Sequence, residues 1–225
     1  MAGTHVEFPS NGGTSQGYLA IPTGETGIGV LVLQEWWGLV PHIEDVCDRF
    51  AEAGFVALAP DMYHGEKTTS PDDAGKLMMA LNIEQAEKDL RGATQFLVNH
   101  DRTAGDRIGT VGFCMGGQLS LFAATKNPSV GACVNFYGIH PNVKPDFSNL
   151  QGPVLGFFGS RDPMVTPDVT AALEASIKQA GKEVAFHTYD ADHAFFNDTR
   201  PDVYAADAAR DAWNRMITFY RENLN

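Results

Sequence analysis

The residues at positions 112–117, Gly-Phe-Cys-Met-Gly-Gly, can raise a nucleophile above a sharp turn. A strand is predicted before the turn and a helix after it. The glycines two positions either side of Cys114 leave the room that such a strained turn needs. The N-terminus of a helix favours a thiolate, because its partial positive charge lowers the pKa of a thiol. Cys114 is therefore a candidate nucleophile; the alternative is a small buried side chain in a glycine-rich turn.

Two residues further along the chain can complete a catalytic set with Cys114. Asp162 and His193 each follow a predicted strand. A histidine can move a proton to and from the reacting groups, and an acid can fix the orientation of its ring. Asp190 and Asp192 compete for the role of the acid, but they share the histidine's own loop. The order nucleophile, acid, histidine favours Asp162.

The elements that must position these residues alternate along most of the chain. Strands are predicted at 28–34, 55–59, 107–113, 130–137, 153–159 and 184–189, and helices at 43–53, 84–98, 115–125, 166–180 and 202–220. This alternation predicts an α/β fold whose sheet is mostly parallel, with helices on both faces. Residues 4–8 and 17–21 predict an antiparallel hairpin at the N-terminus. In such sheets, ligands bind beyond the carboxyl ends of the strands, where the candidate residues fall.

The chain of 225 residues is predicted to form a single domain, 1–225, because it contains no repeat and no long linker. Within it, segment 63–82 is a candidate cap over the strand ends. The segment contains two adjacent methionines, Met78 and Met79, which suit a flexible apolar lid. An ordinary amphipathic surface helix is the alternative.

Composition excludes several classes of partner. With 16 Lys and Arg against 28 Asp and Glu, the net charge is −12, which argues against nucleic acid and anionic membranes. The longest apolar run, 28–33, is far shorter than the roughly 20 residues that span a bilayer, and the first residues do not have the pattern of a signal peptide. Three cysteines do not make a disulfide framework. We expect a cytoplasmic protein, a monomer or weak homo-oligomer, that acts on a small molecule.

Five features of the sequence occur together in a specific order and spacing. They are Gln34-Glu35-Trp36-Trp37-Gly38, Ala59-Pro60-Asp61-Met62-Tyr63, Gly112-Phe113-Cys114-Met115-Gly116-Gly117, Asp162 and His193. Over nearly its whole length the chain thereby resembles the dienelactone hydrolases (carboxymethylenebutenolidases) of the α/β-hydrolase fold. The resemblance implies this fold and an enzyme that cleaves lactones or esters.

The resemblance also implies roles for particular residues. It implies a catalytic triad of Cys114, Asp162 and His193. By the same resemblance, Glu35 is the carboxylate that contacts the resting cysteine. The backbone N–H groups of two further residues, Trp36 and Met115, are implied to form the oxyanion hole.

The sequence departs from this family where the substrate's carboxylate is bound. Family members resemble one another in placing an arginine four residues after the triad histidine, and here that position is Asn197. A second arginine lies after the Ala-Pro-Asp motif, whereas residues 66–82 contain Lys67 and Lys76 but no arginine. Arg200 either reaches into the pocket or lies on a solvated loop. A larger or neutral ester therefore fits the sequence at least as well as dienelactone.

Three residues are predicted to contact the substrate: Tyr137, Phe195 and Asn197. The aromatic residues among them would form an apolar pocket if they face it, and otherwise belong to the core. The remaining histidines do not have metal-ligand spacing, so we expect neither a metal nor a cofactor.

The sequence thus predicts a hydrolase that cleaves a lactone or carboxylic ester through Cys114. An acyl transferase or a thioesterase with the same triad is the first alternative, because nucleophiles other than water can also take the acyl group from the cysteine. The second alternative belongs to another class, a hydrolase-fold protein that binds a ligand and turns over little.

Overall fold

The computed structural model describes residues 2–10, 12–24 and 26–224, and within these ranges the chain forms one mixed sheet of eight strands. The strands are β1 (Thr4–Ser10), β2 (Gly13–Ala20), β3 (Gly27–Leu33), β4 (Val56–Pro60), β5 (Thr103–Phe113), β6 (Val130–Phe136), β7 (Val154–Gly159) and β8 (Val184–Tyr189). The helices are α1 (Pro41–Glu52), α2 (Pro71–Ala80), α3 (Ile83–Val98), α4 (Met115–Lys126), α5 (Pro167–Gln179) and α6 (Ala206–Asn223), with a short 3₁₀ turn at Phe147–Asn149.

The strand order across the sheet is β1-β2-β4-β3-β5-β6-β7-β8. The hairpin of β1 and β2 is antiparallel, and β2 joins β4 in antiparallel fashion. All pairings from β4 across to β8 are parallel. The predicted α/β class and the N-terminal hairpin are confirmed. Because these six strands run in one direction, their carboxyl ends meet at the same edge of the sheet.

Helices cover the sheet on both faces. Apolar residues of α1 and α6, such as Phe50 and Tyr220, pack in one cluster, whereas residues of α3 and α4, such as Leu97 and Leu121, pack in another. All of β3 is buried between them, which explains its continuous apolar sequence. No helix in the described ranges has both the length and the apolar character needed to cross a bilayer.

The starts of three predicted elements are wrong by four residues, and the first of these is β2, which begins at Gly13 rather than at residue 17. The last helix begins at Ala206 rather than at residue 202, because residues 200–204 form turns in which Val203 and Tyr204 donate to the carbonyl of Arg200. Strand β5 begins at Thr103 rather than at residue 107, because its first residues pair with the start of β3 before a bulge. The difference at the last helix arises from local turns, and that at β5 from pairing with a strand distant in the sequence.

Segment 63–82, the candidate cap, contains α2 and packs onto the rest of the protein. Leu77 and Met78 lie against an apolar cluster that includes residues of α3 and α4. The Nε2 atom of His140 lies 3.1 Å from the carbonyl oxygen of Met78, which fastens the end of α2 to the loop after β6. A role as a moving lid stays a prediction.

Candidate active site

The turn between β5 and α4 holds Cys114 in a strained conformation. The backbone of Cys114 has φ 53° and ψ −121°, a conformation that L-residues rarely adopt. Its N–H donates to the carbonyl of Phe136 at 3.1 Å, which holds it in place. A Cβ atom at Gly112 would collide with the backbone of Gly116, and one at Gly116 would collide with the backbone of Leu33. The two glycines are therefore required by the close approach of α4 to β3 and β5.

The loops after β7 and β8 bring Asp162 against His193. The Nδ1 atom of His193 lies 2.6 Å from Oδ2 of Asp162. The competing acids are engaged elsewhere, because Asp190 and Asp192 both pair with Arg161 at the surface. Of the three candidate acids, Asp162 is the one that contacts the histidine ring.

Asp162 is fixed by further hydrogen bonds. Its Oδ1 atom accepts from the backbone N–H groups of Met164 at 2.7 Å and Val165 at 2.9 Å. Burial alone would raise the pKa of Asp162, but the hydrogen bond with His193 and these N–H groups lower it. The carboxylate is therefore ionised, and it holds the proton of the imidazole on Nδ1.

His193 is buried beside both Asp162 and Cys114. Burial disfavours the charged ring, but the hydrogen bond with Asp162 and the interaction with the Cys114 thiol outweigh it and raise the pKa of His193 to about 10. The second ring nitrogen, Nε2, is buried and makes no hydrogen bond of normal geometry within the described residues. It is the atom available to exchange a proton with the thiol.

A cavity of about 330 Å³ opens at this edge of the sheet. Its polar lining residues are Glu35, Cys114, Asp192, His193 and Arg200, and its apolar ones are Trp36, Trp37, Pro163, Met164, Ala194 and Val203. The cavity thus joins the strand ends of β3, β5, β7 and β8. Sequence reasoning missed Pro163, Met164 and Val203, although the first two directly follow Asp162.

Glu35 is a buried carboxylate in this cavity. It is 1% exposed, and its Oε2 atom accepts a hydrogen bond of 2.8 Å from Nδ2 of Asn197. Burial raises the pKa of Glu35, and the hydrogen bond from Asn197 and the positive charges of His193 and Arg200 act in the opposite direction. An acidic group thus lies in the same cavity as the thiol.

The two backbone groups predicted to form the oxyanion hole are free to donate. The N–H of Trp36 follows β3 and that of Met115 opens α4, and neither makes a hydrogen bond within the described residues. The first residues of a helix have no intrahelical acceptor for their N–H groups, so such groups are suited to binding an oxyanion.

The three residues predicted to contact the substrate do not line the cavity. Tyr137 and Phe195 are fully buried, and Asn197 is 2% exposed. The ring of Tyr137 packs against His193, with centroids 5.0 Å apart, and Phe195 packs against Tyr137. These residues lie behind the cavity wall, where they pack among other buried residues. Trp37, in contrast, lines the cavity.

Segment 63–82 lines a different cleft. This cleft measures about 220 Å³ and lies between α2, α3 and the loop after β4, with Asp89 and His64 in its wall. Tyr63 separates it from the nucleophile turn, because its hydroxyl lies 3.1 Å from Sδ of Met115. The candidate cap therefore borders the neighbouring cleft and contributes no side chain to the cavity of Cys114.

The sheet order, the strained turn after β5 and the placement of residues at the strand ends define an enzyme of the α/β-hydrolase fold. The sequence model of the Dienelactone hydrolase family matches residues 15–224, and the chain belongs to this family. It is a dienelactone hydrolase-like hydrolase.

Similar proteins span almost the whole chain. The protein of Aquifex pyrophilus named "Protein usf" is 38% identical over 230 residues, which cover 99% of each chain. A protein of Aquifex aeolicus named "Putative carboxymethylenebutenolidase" is 34% identical, again over 99% of each chain. The crystal structure of a "Putative Dienelactone Hydrolase" from Klebsiella pneumoniae is 29% identical with a TM-score of 0.87, covering 99% of this chain and 100% of that one.

Proposed function

We propose that this protein hydrolyses lactones or carboxylic esters through Cys114, with His193 as the acid and base and Asp162 as its orienting carboxylate. The observation that carries the proposal is the 2.6 Å contact of Asp162 with His193, a residue that lines the same cavity as Cys114. Relatives of this chain carry names of lactone-cleaving enzymes, which agrees with the proposal.

The first half of the reaction transfers the acyl group to sulfur. Cys114 attacks as the thiolate beside the protonated His193, and its sulfur forms a C–S bond with the carbonyl carbon. The carbonyl oxygen becomes an oxyanion, which the N–H groups of Trp36 and Met115 stabilise. When the C–O bond breaks, His193 gives its proton to the leaving alkoxide.

The second half returns the enzyme to its starting state. His193 takes a proton from a water molecule, and the oxygen attacks the acyl carbon. The C–S bond then breaks and the sulfur of Cys114 leaves as a thiolate. His193 keeps the proton taken from water, which restores the starting state. Asp162 stabilises the imidazolium in both halves and does not itself take up the proton.

Glu35 adds a feature that an ordinary triad does not have. A carboxylate near a thiol disfavours the thiolate, because the two negative charges repel each other. We propose that Glu35 keeps Cys114 unreactive in the resting enzyme. Replacing Glu35 by Gln is expected to lower the pH at which the thiol becomes reactive, and an unchanged thiol titration would contradict the role.

The cavity favours a neutral substrate with an apolar group. Trp36, Trp37, Met164 and Val203 supply most of its wall, and Arg200 and His193 are the cationic side chains among the lining residues described. The Nη2 atom of Arg200 lies 3.1 Å from Asp202, which offsets part of its charge. The arginine clamp of the family is absent at position 197. We therefore propose neutral esters or lactones before carboxylated ones.

Hydrolysis of p-nitrophenyl acetate tests the proposed nucleophile. Cys114→Ala is expected to lower kcat at least a thousandfold, the scale seen when a catalytic nucleophile is removed. Cys47→Ala is the matched control, because Cys47 is a fully buried cysteine on α1 that the reaction does not use. Equal activity of Cys114→Ala and wild type would end the proposal.

A panel of lactones, aryl esters and thioesters then identifies the substrate class. We expect the highest kcat/KM among neutral esters or lactones. The same assays with added alcohols or amines separate hydrolysis from acyl transfer, because a transferase would form the new ester or amide faster than the free acid.

A further inference from the structure

Asn197 is turned toward Glu35 and away from the substrate cavity. Its side chain is almost completely buried, and its Nδ2 atom donates to Oε2 of Glu35 at 2.8 Å. The two residues are 162 positions apart in the sequence, so the contact exists only in the folded chain. An amide at this position can donate to a carboxylate but carries no charge with which to hold a substrate's carboxylate.

Thr199 determines which way the amide of Asn197 points. Both the backbone N–H of Thr199, at 3.1 Å, and its hydroxyl, at 2.6 Å, lie against Oδ1 of Asn197. The backbone N–H is a donor only, so the atom it faces must be the amide oxygen. The NH₂ group is thereby directed at Glu35.

The loop that carries Asn197 is anchored to α1. Asp198 forms an ion pair with Arg49, whose Nη2 atom also lies 2.5 Å from Asp45. The backbone N–H of Asn197 donates to the carbonyl of Ala194 at 2.9 Å. Ala194 directly follows His193 in the sequence. The position of the amide is therefore fixed relative to both the histidine and Glu35.

Four other groups act on Glu35. His193 and Arg200 are the positive groups, and both favour the ionised carboxylate. Cys114 shares the cavity, and Tyr137 lies in the field of both Glu35 and Cys114. Asn197 differs from all of these because it makes a direct hydrogen bond to the carboxylate, which favours the charged form of Glu35.

We propose that Asn197, with its amide oriented by Thr199, is a positioning residue that holds Glu35 as a carboxylate in the cavity that Cys114 also lines. It thereby controls the pH range in which the thiol is reactive. This inference rests on the proposed function, in which Cys114 is the nucleophile and Glu35 its resting partner. It gives position 197 a role different from that of the substrate-binding arginine of the family.

The effect of losing Asn197 follows from the charges. Without the hydrogen bond, the buried Glu35 takes up a proton at a higher pH. Over that pH range Glu35 is neutral in the variant, whereas in wild type it still carries a negative charge in the cavity of the thiol. The thiolate becomes more favourable, so Cys114 reacts at a lower pH than in wild type.

The rate of alkylation by iodoacetamide against pH measures this directly, with modification of Cys114 followed by mass spectrometry. We expect the midpoint for Asn197→Ala to fall by about one pH unit, which is a tenfold faster reaction below the wild-type midpoint. Asn149→Ala is the matched control, because Nδ2 of Asn149 donates to Asp146 at 3.2 Å on the surface. That control is expected to keep the wild-type midpoint.

A double-mutant cycle with Glu35→Gln separates positioning from a general structural effect. If Asn197 acts through Glu35, Asn197→Ala has no effect on the alkylation midpoint in the Glu35→Gln background. An equal shift in both backgrounds would overturn the proposal. So would an unchanged midpoint for Asn197→Ala in the otherwise wild-type protein.

Thr199 offers a second position for substitution, and its side chain is exposed. Thr199→Val removes the hydroxyl donor but keeps the backbone donor, so we expect a smaller shift in the same direction, about threefold in rate. Thr199→Ser restores the hydroxyl and is expected to restore the midpoint. An identical result for valine and serine would contradict the orienting role.

Alkylation does not depend on ester hydrolysis, so these outcomes stay distinguishable from failure of the proposed function.

Discussion

Cys114 adopts a backbone conformation that costs about 1–3 kcal/mol in a non-glycine residue. Tyr137 and Ala194 also have positive φ, at 39° and 63°, and both lie next to the site. Each is held by backbone hydrogen bonds, such as the 2.8 Å bond from Tyr137 N–H to the carbonyl of Phe157. Three of the four non-glycine residues with positive φ in the described ranges thus lie where the nucleophile and the histidine loop meet, and the fourth, His64, lies in the neighbouring cleft.

His193 makes the stability of the protein depend on pH. Its pKa in the folded state is about 10, above the usual 6.5. Between these two pH values the folded protein holds a proton that the unfolded chain has already released. The stabilisation is fully present below pH 6.5 and is lost as the pH rises through 10. We expect the free energy of unfolding, measured with urea, to fall over this range.

Replacing Asp162 tests the origin of this dependence. Asp162→Asn removes the carboxylate that holds the imidazolium and should lower the free energy of unfolding by about 3 kcal/mol at pH 6. The difference from wild type should shrink as the pH approaches 10. Asp146→Asn, at an exposed aspartate, serves as the control and should not alter the dependence between pH 6 and 10. A difference that stays constant from pH 6 to 10 would contradict this explanation.

At the scale of elements, the turn from β5 to α4 brings a helix very close to the neighbouring strand. The helix starts against the end of β3, where the carbonyls of Leu33 and Gln34 border Gly116. The same strand end carries Glu35 and Trp36 into the cavity. Any displacement between α4 and β3 therefore moves the two halves of the predicted oxyanion hole apart.

Gly116→Ala is expected to destabilise the protein by about 3 kcal/mol and to lower kcat at least a hundredfold, because its Cβ would collide with the backbone of β3. Urea unfolding and ester hydrolysis measure the two effects. Gly75→Ala is the matched control. Its Cβ would have open space inside α2, so we expect a gain of about 0.5–1 kcal/mol with unchanged kcat. Similar behaviour of both variants would refute the packing argument.

At the scale of the whole molecule, the net charge of −12 opposes the approach of anions to the cavity. Within the cavity, the positive groups Arg200 and His193 are set against Glu35 and Asp192, so the lining residues have no excess of positive charge to offset that field. Neutral substrates are not subject to this repulsion.

Ionic strength distinguishes the two kinds of substrate. The Debye length falls from about 30 Å at 0.01 M to about 10 Å at 0.1 M, which screens the repulsion. We expect kcat/KM for a carboxylated aryl ester to rise about threefold over this range, relative to a neutral ester of the same phenol. The neutral ester is the control on the same enzyme. A ratio that falls with salt would indicate a locally positive site instead.

Local patterns were sufficient to predict most of the fold. The alternation of apolar segments predicted the parallel sheet, because strands buried on both faces have continuous apolar sequences. Errors arose at residues 103–106 and 202–205, where pairing to β3 and turns on Arg200 override local propensity. The pairing of β5 with β3 joins segments far apart in the sequence and leaves no local signal, whereas the turns on Arg200 are local and replace the first turn of the predicted helix.

The sequence by itself determined the family, the strained turn and the chain order of Cys114, Asp162 and His193, because a glycine-rich turn and strand ends can be recognised locally. Only the tertiary structure decided which aspartate meets the histidine and which residues line the cavity. It also decided that Asn197 faces Glu35 and that Tyr137 lies in the core. The physical reason is that the direction of a side chain depends on what packs around it, and the groups around this site come from the ends of strands spread over 160 residues of chain.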